Sequence, residues 1–216
     1  EYWSLEQAKL GSAKEPPLLA VALVWVTHTP TVSGQAYTPS AKNGDWLMYT
    51  ADIRGSKYSP LDQINASNFS KMEVAWSVKT DNLGPRPETK LQAAPIAIKG
   101  VLYSTGGTRR SVIAMDGKTG ETLWVYRMDE GERATRWSPR QYSGRGVSYW
   151  TDGKGDERIV YTTTGYRLVE LNAKTGQPVA SFGKNGVIDL KEGMIIGKDK
   201  QIDLEKGEVG WHATPL

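Results

Sequence analysis

The sequence contains no cysteine and only two histidines, His28 and His212, among its 216 residues. Without cysteine there is no disulfide, thiolate zinc site, iron–sulfur cluster or cysteine nucleophile, and two histidines are too few for a histidine-based metal cluster. Lysine and arginine number 27 against 24 acidic residues, so the net charge is only +3. This balance predicts no nucleic-acid partner, because nucleic-acid-binding domains carry a strong basic surface.

Phenylalanine is also scarce, whereas glycine and the other aromatics are abundant. The chain has 2 Phe against 8 Trp, 10 Tyr and 23 Gly, a composition typical of short strands joined by tight turns. Neither the phosphate-binding motif G-x-x-x-x-G-K-[ST] nor the nucleophile motif G-x-S-x-G occurs. Nucleotide-dependent and serine-hydrolase functions therefore have no support.

One short apolar run, residues 18–26, lies near the start of the chain. It is too short to span a bilayer, which takes about 20 residues, and it has the length of a signal-peptide core, about 7–15 residues. Gly34 and Ala36 supply the small residues that a cut after Ala36 requires. A buried strand or an upstream extension is the alternative. We predict a leader over 1–36 and a globular part over 37–216 that functions in the periplasm, with membrane association left open.

The globular part contains an internal repeat. Residues 100–124 and 158–178 each have a β-branched and aromatic run, a second short run ending in Asp or Asn, and a Lys-Thr-Gly turn. Corresponding positions in these two copies are 56 residues apart, and a degenerate earlier copy covers 64–76. The positions that define the repeat are Asp116, Gly120 and Trp124 in one copy, Asn172 and Gly176 in the next, and Trp76 in the degenerate copy.

Regular short strands with one glycine turn and one large aromatic per repeat are typical of β-propeller blades. No segment shows helical periodicity over three turns, so we predict an all-β fold; a β-sandwich with similar hairpins is the alternative. At about 45 residues per blade, residues 37–216 would form three to four blades. A closed propeller has typically 4–8 blades, so the chain is interpreted as part of a larger ring.

The stretch Ala114-x-Asp116-x-x-Thr119-Gly120-x-x-x-Trp124 resembles the tryptophan-docking motif of the quinoprotein dehydrogenases. The resemblance covers residues 43–216 and is closest to the branch of the membrane-bound quinoprotein glucose dehydrogenase. It implies about the first half of an eight-bladed ring, with Trp76 and Trp124 buried against the glycine turns of neighbouring blades. The other matching stretches are 44–46, 58–64, 74–76, 91–95, 145–150 and 182–187.

The resemblance also implies a cofactor, pyrroloquinoline quinone (PQQ), held together with Ca²⁺. Arg145, Gln92 and His212 match cofactor-contact positions of the family. The alternatives are a solvated hairpin arginine and polar residues that cap inner strands. The catalytic Asp and the Ca²⁺ ligands are expected beyond Leu216, so no catalytic or metal-binding residue is assigned and residues 1–216 alone are expected to be inactive. The implied reaction oxidises an alcohol or the C1 hydroxyl of an aldose, with a quinone or cytochrome as electron acceptor.

Three features depart from this pattern or leave it open. Pro139 and Arg140 stand where methanol dehydrogenases of the family have a vicinal disulfide, and Trp150 stands where the glucose dehydrogenase branch has histidine. The substrate therefore stays open between an alcohol and a sugar. Arg109 and Arg110, in a predicted hairpin turn, either add positive potential near the cofactor carboxylates or are ordinary loop charges.

A function of another class is a non-catalytic propeller that serves as a scaffold for protein–protein interaction. The docking motif occurs in such propellers too. Arg145 and the stretch 58–61 favour the enzyme, since a scaffold has no reason to keep either. We therefore predict the N-terminal part of an exported quinoprotein dehydrogenase.

Overall fold

The computed structural model describes residues 41, 44–86, 88–138, 140–142, 144–210 and 213–215. The predicted leader and His212 lie outside the described residues. Within them, regular structure is almost entirely β, and the α-helical part is the single turn α1, Glu132–Thr135. No helix of the described part is both long and apolar enough to cross a membrane.

The first sheet is an antiparallel meander of four consecutive strands. Its strands are rich in β-branched and aromatic residues, as the first full copy of the repeat predicts. The hairpin between the third and fourth strands is the Lys-Thr-Gly turn of that copy. The strands are β1 (Ile96–Ile98), β2 (Val101–Gly106), β3 (Ser111–Asp116) and β4 (Thr122–Tyr126).

The second sheet repeats the same meander from the second copy of the repeat. The helical turn α1 lies in the linker between the two sheets. A separate two-stranded hairpin follows the second sheet, and a short 3-10 turn at Phe69–Lys71 precedes the first. The strands of the second sheet are β5 (Ser148–Thr151), β6 (Glu157–Thr162), β7 (Arg167–Asn172) and β8 (Val187–Asp189); the hairpin consists of β9 (Ile195–Ile196) and β10 (Lys200–Gln201).

One apolar core joins the two sheets. Val112 and Ala114 of β3 belong to the same buried cluster as Ile159 of β6 and Val169 of β7. The segments that lead into β1 and β5, the first strands of the two sheets, run parallel. Ala94 of one segment forms a parallel bridge with Gly146 of the other. Corresponding ends of the two sheets therefore lie side by side, which is the relation of neighbouring propeller blades.

The all-β propeller prediction is thus confirmed by the arrangement of the sheets. Two blades are complete four-stranded sheets within the described residues. The extended stretch around Trp76 precedes the first sheet, and residues 213–215 follow the second. The number of three to four blades and the boundaries 1–36 and 37–216 stay predictions.

Candidate functional site

The first interblade contact joins Trp76 to the turn between β3 and β4. The Trp76 indole Nε1 donates to the Gly117 carbonyl at 3.2 Å. The ring lies so close to Gly120 that a Cβ added there would be 2.6 Å from ring atom Cδ2. Gly120 also has a φ of +74°, which L side chains rarely adopt. Glycine is required here both by the backbone and by the indole ring.

Trp124 of β4 makes the same contact with the second sheet. Its Nε1 donates to the Ala173 carbonyl at 3.0 Å, and a Cβ on Gly176 would lie 2.6 Å from the ring. The Tyr103 hydroxyl donates to the same Ala173 carbonyl at 3.1 Å. Burial raises the pKa of Tyr103 to about 12.

The tryptophan-docking prediction is therefore confirmed at both turns, with one difference. Trp76 and Trp124 are half-buried rather than fully buried. Trp124 lies on β4, the last strand of its sheet, so one side of its ring faces outward. Trp76 lies on an extended stretch that pairs with no described strand.

The two turns that receive the tryptophans share their internal hydrogen bonds. Asp116 Oδ1 accepts from the backbone N–H of Lys118 and of Thr119, at 2.9 and 2.8 Å. The Thr119 backbone and hydroxyl donors lower the pKa of Asp116. Asn172 Oδ1 accepts the equivalent pair of N–H groups in the next copy, at 3.0 and 3.1 Å. These are the Asx-type turns that the sequence pattern predicts.

Two of the three predicted cofactor residues lie on neighbouring backbone segments at the opposite end of the sheets. Gln92 lies in the segment leading into β1, and Arg145 lies in the segment leading into β5. The Ala94 N–H donates to the Arg145 carbonyl at 3.1 Å, and Ala94 and Gly146 form the parallel bridge. The side chains of Gln92 and Arg145 are both exposed at this edge, which we call the Gln92–Arg145 edge.

Two glycines fix the backbone on either side of Arg145. Gly144 has a φ of +75° and Gly146 a φ of +114°. A Cβ on Gly146 would lie 2.5 Å from the Ala94 carbonyl oxygen, and one on Gly144 would lie 2.6 Å from Arg110 Nε. Among the residues that the structure describes, none is hydrogen-bonded or ion-paired to the Arg145 guanidinium.

The third predicted cofactor residue, His212, lies outside the described residues, so its role stays a prediction. The segment that follows it is described. The Ser148 hydroxyl of β5 donates to the Pro215 carbonyl. Residues 213–215 therefore lie beside β5. In the same way, the segment that contains Arg145 lies beside the segment that contains Gln92.

Of the two alternatives for Arg110, the loop charge is wrong, and positive potential near the cofactor carboxylates stays a prediction. The Arg110 side chain is buried, so it is not a solvated loop charge, and its guanidinium donates only to carbonyl oxygens. Nε donates to Tyr142 O at 3.1 Å, and Nη1 to Thr162 O and Thr163 O at 3.0 and 3.2 Å. Nη2 donates to Arg140 O at 3.3 Å. These donors are occupied by protein groups, so they are not directed at a cofactor carboxylate.

A buried ionic cluster, for which the sequence carries no local signal, ties the linker after β4 to the second sheet. The Glu130 side chain is 1% exposed and accepts from Arg167 Nη1 at 2.6 Å. It also accepts from the Gly165 N–H at 2.8 Å. Arg133 of α1 donates to both Asp189 carboxylate oxygens, at 2.5 and 2.6 Å.

Burial opposes ionisation of Asp189, but hydrogen bonds from Arg133 and from the Lys191 N–H outweigh it. They lower the pKa of Asp189 below its ordinary value. An open cleft of about 690 Å³ lies beside this cluster. Arg167 and Asp189 line it but are already paired, and neither Gln92 nor Arg145 does, so the cleft is separate from the Gln92–Arg145 edge.

No group of three or more histidine, aspartate or glutamate side chains suited to a metal ion occurs in the part of the chain that the structure describes. The polar groups assembled at the Gln92–Arg145 edge are instead a guanidinium and a carboxamide. Fold and edge together define a class, a β-propeller whose blades are joined by tryptophan docking and whose first strands, β1 and β5, are preceded by exposed polar side chains.

Comparison with known proteins identifies the family. The family model "PQQ: Glucose/ethanol/alcohol dehydrogenase, beta-propeller domain" matches residues 46–215. Quinoprotein glucose dehydrogenase of Gluconobacter oxydans (strain 621H) is 34% identical over 165 residues, which cover 68% of this chain and 20% of that protein. The dehydrogenase subunit of alcohol dehydrogenase (quinone) from the same organism is 36% identical and covers 74% of this chain and 20% of its own length.

A solved structure gives the same result. The crystal structure of quinohemoprotein alcohol dehydrogenase from Comamonas testosteroni has a TM-score of 0.55 at 27% identity, covering 72% of this chain and 21% of that one. The chain belongs to the PQQ-dependent quinoprotein dehydrogenase family. It spans about a fifth of the length of these relatives.

Proposed function

We propose that the protein containing this chain oxidises an alcohol or the C1 hydroxyl of an aldose, with PQQ as its cofactor and a quinone or cytochrome as the final electron acceptor. The observation that carries the proposal is the Gln92–Arg145 edge. Two residues from different blades, each assigned to the cofactor from sequence, lie on adjacent backbone segments joined by the Ala94–Arg145 hydrogen bond.

The chemistry of this edge fits PQQ, a flat molecule with three carboxylates and two quinone oxygens. A guanidinium is the side chain whose donors match carboxylate and carbonyl oxygens best, and the Gln92 carboxamide can both donate and accept. Arg145 is exposed and held between two glycines of fixed conformation. Gln92 and Arg145 would hold the cofactor, which supplies the acceptor for the two electrons of the alcohol.

Arg145 would do more than bind. A guanidinium that donates to a quinone oxygen stabilises the negative charge that develops there as the substrate is oxidised, so its effect is larger in the transition state than in the ground state. We assign removal of the substrate proton to an aspartate of a later blade and Ca²⁺ to ligands outside this chain.

The test uses the full-length protein, prepared without cofactor and reconstituted with PQQ and Ca²⁺, in a dye-linked assay on primary alcohols and aldoses. Arg145→Ala should lower turnover about 100-fold at saturating PQQ, as removal of one oxyanion donor does. Arg145→Lys should fall in between, because lysine keeps the charge but not the planar fork.

Lys154→Ala is the matched control. Lys154 is an exposed basic residue in the turn between β5 and β6, at the other end of the same inner strand, so its loss should leave turnover unchanged. Residues 1–216 expressed alone are the negative control and should be inactive. Near-normal turnover by Arg145→Ala at saturating PQQ would contradict the assignment, and absence of PQQ binding by the full-length protein would favour a scaffold.

We further propose that the leader directs the protein to the periplasm. The apolar run 18–26 followed by Gly34 and Ala36 supports this proposal. Fusion of residues 1–60 to a reporter enzyme that is active only after export is the direct measurement. Reporter activity that is lost when an arginine is placed in the apolar run would support export.

A further inference from the structure

Arg110 combines three unusual properties. It is buried, it has a φ of +51°, and its guanidinium forms no ion pair with any carboxylate of the described residues. Burial lowers its pKa below the ordinary value for arginine. A left-handed backbone at a residue other than glycine is unfavourable, and so is a buried charge, which the Glu130 carboxylate offsets only through space.

The partners of Arg110 show what it connects. Thr162 O and Thr163 O mark the end of β6, in the second sheet, whereas Arg110 lies in the turn between β2 and β3 of the first. The other two acceptors, Arg140 O and Tyr142 O, belong to the linker that runs toward Arg145. One side chain therefore joins both sheets and this linker.

Contact with the linker continues up to the residue before Arg145. A Cβ on Gly144 would lie 2.6 Å from Arg110 Nε and 2.9 Å from Cζ, so the glycine backbone packs directly on the guanidinium. The planar fork of arginine can serve four carbonyls at once. Lysine, with its single ammonium group on a flexible stem, cannot span the same set.

We propose that Arg110 is a positioning residue, which holds linker residues Arg140, Tyr142 and Gly144 against the second sheet and thereby sets the direction of the Arg145 guanidinium toward the cofactor. This inference rests on the proposed function. It assigns no cofactor contact to Arg110 itself, because four of its five N–H donors go to carbonyl oxygens of the protein.

The test is a double-mutant cycle on the affinity of the full-length apoprotein for PQQ, followed by tryptophan fluorescence quenching. Arg110→Lys should weaken PQQ binding roughly tenfold or more, since loss of one well-aligned hydrogen bond to a charged group has an effect of about this size. In the Arg145→Ala background the same substitution should have little further effect, because residues that act through one another are not additive.

Arg133→Lys is the matched control. Arg133 is also a buried arginine at this end of the second sheet, but its partners are Asp189 and Gly165 O. Its substitution should lower the thermal midpoint and leave PQQ affinity unchanged. If Arg110→Lys does not fold, Gly144→Ala disturbs the same contact from the linker side and is judged by the same cycle.

A second readout needs no cofactor. Amide hydrogen exchange at Ala94, whose N–H donates to Arg145 O, should accelerate roughly tenfold in apo Arg110→Lys as the linker loosens. Exchange at Gly120, in the turn at the other end of the first sheet, should not change.

The outcomes separate the two proposals. If the wild-type protein binds no PQQ, the proposed function fails, and this inference with it. If the wild type binds PQQ but Arg110→Lys weakens binding equally with and without Arg145, or leaves Ala94 exchange unchanged, Arg110 is merely structural and only this inference is overturned.

Discussion

Gly176→Ala is the substitution that tests tryptophan docking most directly. Gly176 has a φ of +69°, and an added Cβ would lie 2.6 Å from two atoms of the Trp124 ring. An L residue in the left-handed region costs about 1–2 kcal/mol, and overpacking of a filled contact costs typically about 1–3 kcal/mol. Together they predict a loss of about 2–5 kcal/mol in the free energy of unfolding.

Gly153→Ala separates the two contributions. Gly153 has a similar φ, +71°, but nothing lies within 4 Å of its added Cβ. This variant should show only the backbone effect of about 1–2 kcal/mol. The difference between the two variants therefore measures the contact with the indole ring.

The assay is urea unfolding of the full-length protein, combined with hydrogen exchange at the Gly176 N–H, which donates to Asn172 O at 2.8 Å. Exchange reports local opening of this turn even where unfolding of the whole ring is not two-state. In the Trp124→Ala background the added methyl has no ring to displace, so Gly176→Ala should there cost only as much as Gly153→Ala. Equal losses for Gly176→Ala and Gly153→Ala in the otherwise wild-type protein would refute the docking argument.

Three further predictions concern the other end of the sheets. Glu130→Gln should lower the free energy of unfolding by about 1.5–3 kcal/mol, because the buried carboxylate loses its charged hydrogen bond with Arg167, which among the described residues keeps only Asp189 at 4.0 Å. A loss below about 1 kcal/mol, the range of exposed pairs, would argue against that role. The pKa of Asp189 is lowered in the folded state, so its contribution is fully present above about pH 4 and is lost as the pH falls through the folded value. Asp189→Asn should flatten the acid limb of a thermal-midpoint-against-pH curve. Gly146→Ala should weaken PQQ binding, measured by fluorescence titration. The added Cβ would lie 2.5 Å from the Ala94 carbonyl oxygen, and because this oxygen belongs to the backbone, a side-chain rotation cannot relieve the clash.

The parts of the molecule that were predictable from sequence have local causes. Asp116 and Gly120 build their turn from hydrogen bonds that span two to four residues, so the pattern Asp-x-x-x-Gly indicates the turn before any tertiary contact is known. The same pattern recurs 56 residues later with Asn172 and Gly176. Because both copies carry it, the spacing also predicts that the turns occupy equivalent places in neighbouring sheets.

The parts that were not predictable depend on residues far apart in sequence. Arg110 accounts for four carbonyl contacts with partners 30 to 53 positions away, and Glu130 is bound by groups 33 to 37 positions away. A carbonyl acceptor leaves no mark in the sequence, since every residue has one. Sequence alone therefore cannot decide whether an arginine in a hairpin turn faces solvent or is buried.

Blade packing and the Gln92–Arg145 edge occupy opposite ends of the same strands. The docking turns follow β3 and β7, whereas Gln92 and Arg145 precede β1 and β5, at the end where the β2–β3 and β6–β7 turns also lie. A substitution at one end of the strands can therefore leave the side-chain contacts at the other end intact. This separation also means that the loops at the Gln92–Arg145 edge are free of the constraint that the indole rings place on the docking turns.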